Sequence, residues 1–258
     1  MKGGSDLPFA RLIAENMWGS GYESALAKAQ TREFKLLRTH FVNRYRTVDK
    51  MIAVFPTRNI LEIASGLSFR GLDLCLKSPS LNYFDTDLDG MIATKLDVLP
   101  HIHVATKPEG LRIEALDALS SADFSKLCST IPDGELTVVQ EGLLVYLDEN
   151  EKSVLAGNIR NELANRGGQW ICGDVYVKRD YTDVFDSMLR SPESKAFHQE
   201  HQIEEKKFES FESAEDFFVS HGFEVVAREF NAMTDDRAKI ANIAKHHARE
   251  TWVLRVRS

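Results

Sequence analysis

Between Asn59 and Val177 the chain switches five times between a short apolar run and helical periodicity. No other feature restricts its fold as much. The runs are Asn59–Ala64, Leu81–Asp87, Leu111–Asp117, Leu136–Glu141 and Gln169–Val177. They are short and bounded by turn residues such as Ser65-Gly66, Pro132-Asp-Gly134 and Gly167-Gly168, which reads as buried strands. Helical spacing follows around Leu72–Leu76, over Met91–Leu99, and after Ser120 and Ser121, which can cap a helix carrying Phe124, Leu127 and Cys128. Asp148 and Glu151 have the spacing of a capping box for a helix bearing Val154, Leu155, Ile159 and Leu163. Alternating strands and helices imply a parallel sheet with right-handed crossovers and a helical layer on each face. A further helix is expected to start at Ser213–Asp216 and end at Gly222, with strands at Phe223–Phe230 and Thr251–Ser258. The expected fold class is therefore α/β, a Rossmann-like, seven-stranded, mostly parallel sheet flanked by helices.

Two segments lie outside that rhythm. Phe34, Leu37, Phe41, Tyr45, Val48 and Ile52 form one helical stripe, with Arg32, Lys35, Arg38, Arg44, Arg46 and Lys50 on the remaining surface. Pro56 ends this helix, because the residue before a proline is pushed out of helical geometry. Residues 1–56 thus read as an N-terminal helical extension and 57–258 as the main domain. Within the latter, residues 178–212 are polar with scattered aromatics and read as a helical insertion or lid.

The 258 residues carry a formal net charge of −7, which argues against nucleic acid or an anionic membrane as the main partner. No apolar run approaches the ~18 residues that a membrane span needs, and no signal-peptide core stands near the N-terminus. A cytoplasmic location is expected. Cys75, Cys128 and Cys172 are odd in number and far apart, so they read as small core residues. His198 and His201 lie three apart without a convincing third ligand, and His246-His247 reads as a solvated helical face, so no metal is expected.

In an open parallel sheet, ligands bind beyond the C-terminal strand ends. Those ends carry Ala64-Ser65-Gly66, Asp85 and Asp87, Asp117, and Glu141. Small residues after the first strand let backbone approach a ligand, and an acid after the second suits a ribose diol. The same acids would also serve as helix caps. A dinucleotide loop would read GxGxxG, whereas this chain has Ala64-Ser-Gly-Leu-Ser-Phe-Arg-Gly71, a poor cradle for pyrophosphate. S-adenosylmethionine, which has no phosphate, tolerates this loop better than NAD does.

Glu141-Gly-Leu-Leu-Val-Tyr-Leu147 resembles the EGxLxYL signature of the leucine carboxyl methyltransferase family and its bacterial polyketide O-methyltransferase relatives. Gly66-Leu-Ser-Phe-Arg70 is similar to their GLDTR segment, and Arg44-Tyr-Arg-Thr-Val-Asp49 to their basic segment before the first strand. The resemblance covers roughly residues 40–180 and implies an S-adenosylmethionine-dependent O-methyltransferase. It also implies roles. Arg44 would pair with the cofactor's methionine carboxylate, and Ala64 and Gly66 would offer backbone to the same moiety. Asp87 would hold the ribose, with Asp85 as the alternative. Asp117 and Ala118 would flank the adenine, and Glu141 would lie near the ammonium or sulfonium. Ala64 stands where the family has glycine, and Ser68 where it has aspartate.

Each residue has a plainer reading. Arg44 would be one more solvated charge, Tyr146 core packing before a substrate contact, and Arg70 either a substrate contact or the partner of an internal carboxylate. No general base stands out, which favours a carboxylate acceptor over an alcohol or phenol. A small-molecule or carboxyl acceptor is expected as the partner. A catalytically silent binding protein and an NAD-linked oxidoreductase are the competing readings.

Overall fold

The computed structural model describes residues 7–28, 30, 32–102, 104, 106–178, 192–230 and 249–257. Seven strands form one sheet: β1 Asn59–Ile63, β2 Asn82–Asp87, β3 Leu111–Ala115, β4 Leu136–Gln140, β5 Gly168–Tyr176, β6 Phe223–Phe230 and β7 Arg249–Val256. Their order is β3-β2-β1-β4-β5-β7-β6. The first five run parallel, and β7 enters antiparallel between β5 and β6. The sheet therefore matches the expected fold class, seven strands and mostly parallel.

Position in the sheet explains each strand's composition. All five residues of β1 and of β4 are buried, as strands covered on both faces must be. The edge strands β3 and β6 alternate between buried and more exposed positions instead. Strand order reverses between β1 and β4, both of which run to the same sheet edge: Ile63 pairs with Gln140, and Glu62 with Asp85 of β2. The residues just beyond these ends are the loop from Ala64 and the loop from Glu141.

The helices are α1 Ala10–Trp18, α2 Tyr22–Lys28, α3 Arg32–Val54, α4 Arg70–Lys77, α5 Asp89–Val98, α6 Ser121–Cys128, α7 Glu149–Arg166, α8 Pro192–Glu200 and α9 Phe211–Ser220. One core, with Leu61, Val138, Leu155, Trp170, Phe218 and Trp252, lies under α6, α7 and α9. The other, with Val48, Ile60, Leu72, Tyr83 and Ile171, lies under α1, α3, α4 and α5. Asp148 and Glu151 make the expected capping box of α7, each side chain accepting from the other's backbone N–H at 2.8 Å. Ser120 caps α6.

Three local expectations are corrected. α9 begins earlier than Ser213, because Ser210 caps it and Ser213 closes the box three residues on. The stripe on α3 is also rotated: Tyr45, Val48 and Ile52 are buried, but so is His40, while Phe41 is 43% exposed. Arg44 faces inward, with its side chain 11% exposed, and is not part of the solvated basic face. The side chains of Phe34 and Leu37 lie outside what the structure describes, as do residues 179–191 of the expected insertion and His246-His247. Among the described residues, no helix is long and apolar enough to cross a membrane. Cys75, Cys128 and Cys172 are buried free thiols.

Candidate functional site

The loop after β1 makes a tight left-handed turn. Ala64 has φ +51° and Gly66 φ +55°. A residue with a Cβ is disfavoured in this region by roughly 1–2 kcal/mol, so Ala64 holds the geometry that a glycine would adopt freely. At Gly66 an added Cβ would meet nothing within 4 Å, so the loop faces open space. Its amide donates to Asp87 Oδ2 at 2.7 Å. Asp87 Oδ1 accepts from the amide of Leu88 at 2.7 Å, which fixes the carboxylate at the end of β2 while leaving it partly exposed.

Asp85, two residues earlier, is fully buried. Its Oδ1 accepts from Ser65 Oγ at 2.5 Å and from Lys95 Nζ at 2.5 Å, and Lys95 also donates to Ser65 Oγ at 2.9 Å. Burial pushes the Asp85 carboxyl up, against Lys95 and Ser65, which favour its charged form. Enclosed in this way, Asp85 is no alternative for a ribose. Asp117, beyond β3, is exposed, and its Oδ1 accepts from the amide of Leu119 at 2.9 Å. Ala118 is half-buried, its carbonyl accepting from Asn158 Nδ2 at 2.9 Å. Leu88, Asp89, Leu116 and Asp117 line a cavity of about 400 Å³.

Beyond β4 lies a buried ionic network centred on Glu141. Its Oε1 accepts from Arg44 Nε at 3.0 Å and its Oε2 from Arg70 Nη2 at 2.5 Å. Burial alone would raise this carboxyl, but Arg70 and Arg44 outweigh it and hold Glu141 below the usual carboxylate range. Arg70 also donates to Asp49 Oδ1 at 2.8 Å and to Glu62, and its guanidinium stacks 3.9 Å from the centre of the Tyr45 ring. With its side chain 1% exposed and three carboxylates around it, Arg70 is the partner of internal acids and does not face a substrate.

Arg44 reaches further, donating through Nη1 to the Tyr176 hydroxyl at 2.8 Å. His40 Nε2 lies 2.9 Å from the same hydroxyl. Burial, reinforced by Arg249 and Arg44, depresses His40 to about 2, so its ring is neutral. The other edge of Arg44 lies against Gly142, whose φ is +81°. A Cβ there would come within 2.9 Å of Arg44 Nη2, so glycine at this position lets the loop close over the guanidinium. Asp174 of β5 holds the loop from the other side, accepting from Gln140 Nε2 and, at 3.0 Å, from the amide of Leu144. Burial raises its carboxyl to about 6.

A second cavity, of about 130 Å³, opens beside this network and is lined among others by Arg44, Tyr146, Tyr176, His198, Lys207 and Arg249. Tyr146, expected first as core packing, is 39% exposed and stands in this wall, edge-on to Phe197 and His201. His40, Asp174 and Tyr176 went unnoticed in the sequence. A carboxylate within an apolar strand, as in Ile171-Cys-Gly-Asp174-Val, was the available signal, since a buried charge needs a partner.

No protein-family model matches the chain, and no curated protein matches it. Solved structures do. A DUF574 family protein from Streptomyces avermitilis is 15% identical and superimposes with a TM-score of 0.60, covering 95% of this chain and 96% of that one. A SAM-dependent methyltransferase from Anabaena variabilis is 16% identical, with a TM-score of 0.56 and coverage of 84% and 85%. Magnesium protoporphyrin IX methyltransferase from Synechocystis, with bound SAH, is 10% identical, with a TM-score of 0.51 and coverage of 96% and 100%. At such identities the likeness is one of fold, and the fold is that of the S-adenosylmethionine-dependent methyltransferases.

Proposed function

We propose that this chain is an S-adenosylmethionine-dependent O-methyltransferase acting on a small-molecule or carboxyl acceptor. One observation carries the choice of ligand. A phosphate-binding loop aims its amides at the anion, but here the Gly66 amide is donated to Asp87, and that carboxylate would repel a pyrophosphate. A ribose-bearing, phosphate-free ligand meets no such conflict. The left-handed loop facing open space, the partly exposed Asp87 and the exposed Asp117 fit it together. The fold shared with methyltransferases supports the reading, as does the similarity of Glu141–Leu147 to a carboxyl methyltransferase signature.

When bound, the cofactor supplies a methyl group on a sulfonium whose leaving group is a neutral thioether. This chain's residues then bind and align. Asp87 accepts from the ribose hydroxyls, and Asp117 with Ala118 receives the adenine. Ala64 and Gly66 present backbone to the methionine moiety, whose carboxylate Arg44 takes. Glu141 is a positioning residue, since each of its oxygens already accepts from an arginine and thereby fixes Arg44. Phe197 and His198 of α8, in the described part of the expected insertion, line the acceptor side.

Calorimetric titration of the protein with S-adenosylmethionine, S-adenosylhomocysteine and NAD tests the proposal. Binding of the first two is expected. Binding of NAD alone would overturn it, and binding of none would leave a silent scaffold. Asp87→Ala should weaken cofactor binding by roughly 10-fold or more through the loss of two hydrogen bonds. Unchanged affinity in the folded variant would assign the ribose to another group.

A further inference from the structure

We infer that the 130 Å³ cavity beside Glu141 is an acceptor site for a single-ring aromatic carboxylate, which is methylated on a carboxylate oxygen. The inference rests on the methyltransferase reading above and adds the class of acceptor.

Charge comes first. Lys207 and Arg249 line the cavity beside Arg44, whose charge is committed to Glu141 and the cofactor's carboxylate, and among the described residues no carboxylate lines it. Arg44 and Lys207 are held from behind by Glu141 and Glu204, so their positions are fixed before any ligand arrives. Arg249 stands 5.3 Å from the centre of the Tyr176 ring. The described lining thus carries positive groups and no negative one.

Shape comes second. Phe41, Tyr146, Tyr176 and Phe197 supply aromatic faces and edges, a lining suited to a flat ring. An apolar cavity of about 150 Å³ takes one benzene, so a cavity of about 130 Å³ suits a single ring.

Proton handling comes third. A phenol or alcohol must lose a proton to react, and among the described wall residues His198 alone offers a weak base for it. His40 is depressed to about 2, chiefly by burial, and burial likewise lowers His198. Burial raises the hydroxyls of Tyr146 and Tyr176, so neither supplies a phenolate. Glu141 is engaged by two arginines. A carboxylate arrives already ionised. Its oxygen forms a bond to the methyl carbon as the carbon–sulfur bond breaks, and that electron pair stays on sulfur. An anion and a sulfonium become a neutral ester and a neutral thioether, with no proton transferred. The ester then no longer feels the cationic wall, which favours its release.

The test is calorimetry of the full chain with benzoate, benzamide and phenol, in the presence of S-adenosylhomocysteine, followed by mass spectrometry of products formed with S-adenosylmethionine. Benzoate should bind at least about 10-fold more tightly than isosteric benzamide, as charge-assisted hydrogen bonds require, and should yield methyl benzoate. Lys207→Gln and Arg249→Gln should each weaken benzoate by about 10-fold while S-adenosylhomocysteine affinity stays within about twofold. Equal binding of benzoate and benzamide, no binding of benzoate to the cofactor-loaded protein, or methylation of phenol in preference to benzoate would overturn the inference. Failure of S-adenosylhomocysteine to bind would instead defeat the methyltransferase reading on which it rests.

Discussion

Replacing Arg70 with methionine removes the only cation that touches Asp49, Glu62 and Glu141 together, among the described residues. Glu62 is 2% exposed and would keep the Tyr83 hydroxyl, at 2.7 Å, as its remaining side-chain donor. Removing one member of a buried ion pair costs about 3–5 kcal/mol, because the other charge stays buried without compensation. Asp49 has 37% of its side chain exposed, so its share is small. Loss of the stack on Tyr45 adds about 1 kcal/mol, which the apolar methionine stem partly offsets. The expected loss is therefore about 4 kcal/mol, or a fall in Tm of roughly 8–16 °C for a chain of this size. The assay is urea and thermal unfolding of both proteins from pH 4.5 to 8. In the wild type, the depressed Glu141 contributes stability above its unfolded pKa of about 4.3, and that stability is lost as pH falls through its lower folded value. Burial already raises Glu62 in the wild type; without Arg70 it rises further and protonating it becomes a relief, whereas Glu141 keeps Arg44 as its partner. The difference between the proteins should thus be largest at pH 7–8 and shrink toward pH 4.5. A difference below about 1 kcal/mol at pH 7 would refute the ionic account, and a pH-independent difference would assign the loss to packing.

Three further substitutions probe the loops. Asp174, raised to about 6, favours its protonated form in the folded state, so its contribution is fullest below its unfolded pKa of about 3.9 and is lost as pH rises through 6. Asp174→Asn should remove that part of the pH dependence, changing the stability gap to wild type by about 2–3 kcal/mol between pH 4 and 7 in denaturant titrations. Ala64→Gly relieves roughly 1–2 kcal/mol of left-handed strain and loses about 0.4–1 kcal/mol through the freer unfolded chain, so thermal melts should show a gain of up to about 1.6 kcal/mol. A clear loss would mean that the alanine methyl packs usefully. Gly142→Ala places a Cβ against Arg44 at a φ of +81° and should cost about 1–3 kcal/mol, measured the same way.

The sheet was legible because strand and helix periods differ, and because turn residues such as Pro132-Asp-Gly134 and Gly167-Gly168 mark the switches. The capping box of α7 was legible for a similar reason, since Asp148 and Glu151 are three residues apart and act on each other alone. Asp87 and Asp117 stand out in the sequence by their expected places at strand ends, and the fold puts both at one sheet edge. The Glu141 network was not legible. Arg70 meets residues 21 and 8 positions before it and 71 after it, so no local pattern encodes the contact. A charge in a helix reads as solvated unless the partner strand is known, which is why Arg44 was ambiguous. Glu62 and Asp174 sit in strands buried on both faces, where no alternation marks a polar position as inward or outward.

Helix geometry explains how α3 serves two neighbours at once. His40 and Arg44 are four residues apart and form one row, which meets Tyr176 and Glu141. Tyr45 and Asp49, also four apart, form a second row about 100° round the helix, and both meet Arg70. The rows converge on a single carboxylate, with Glu141 Oε1 taking Arg44 and Oε2 taking Arg70 of α4. Sliding α3 by one residue would turn both rows by about 100° and break every contact that α3 makes here. The register of α3 against β4 and β5 is thus set by charge as well as by the burial of Val48 and Met51. The same joint fixes the first residues of the loop after β4, where Gly142 closes on Arg44 and Leu144 is tied to Asp174. A helix that precedes the sheet in sequence therefore builds one wall of the 130 Å³ cavity, and the arginine in that wall is placed by how the helix is anchored.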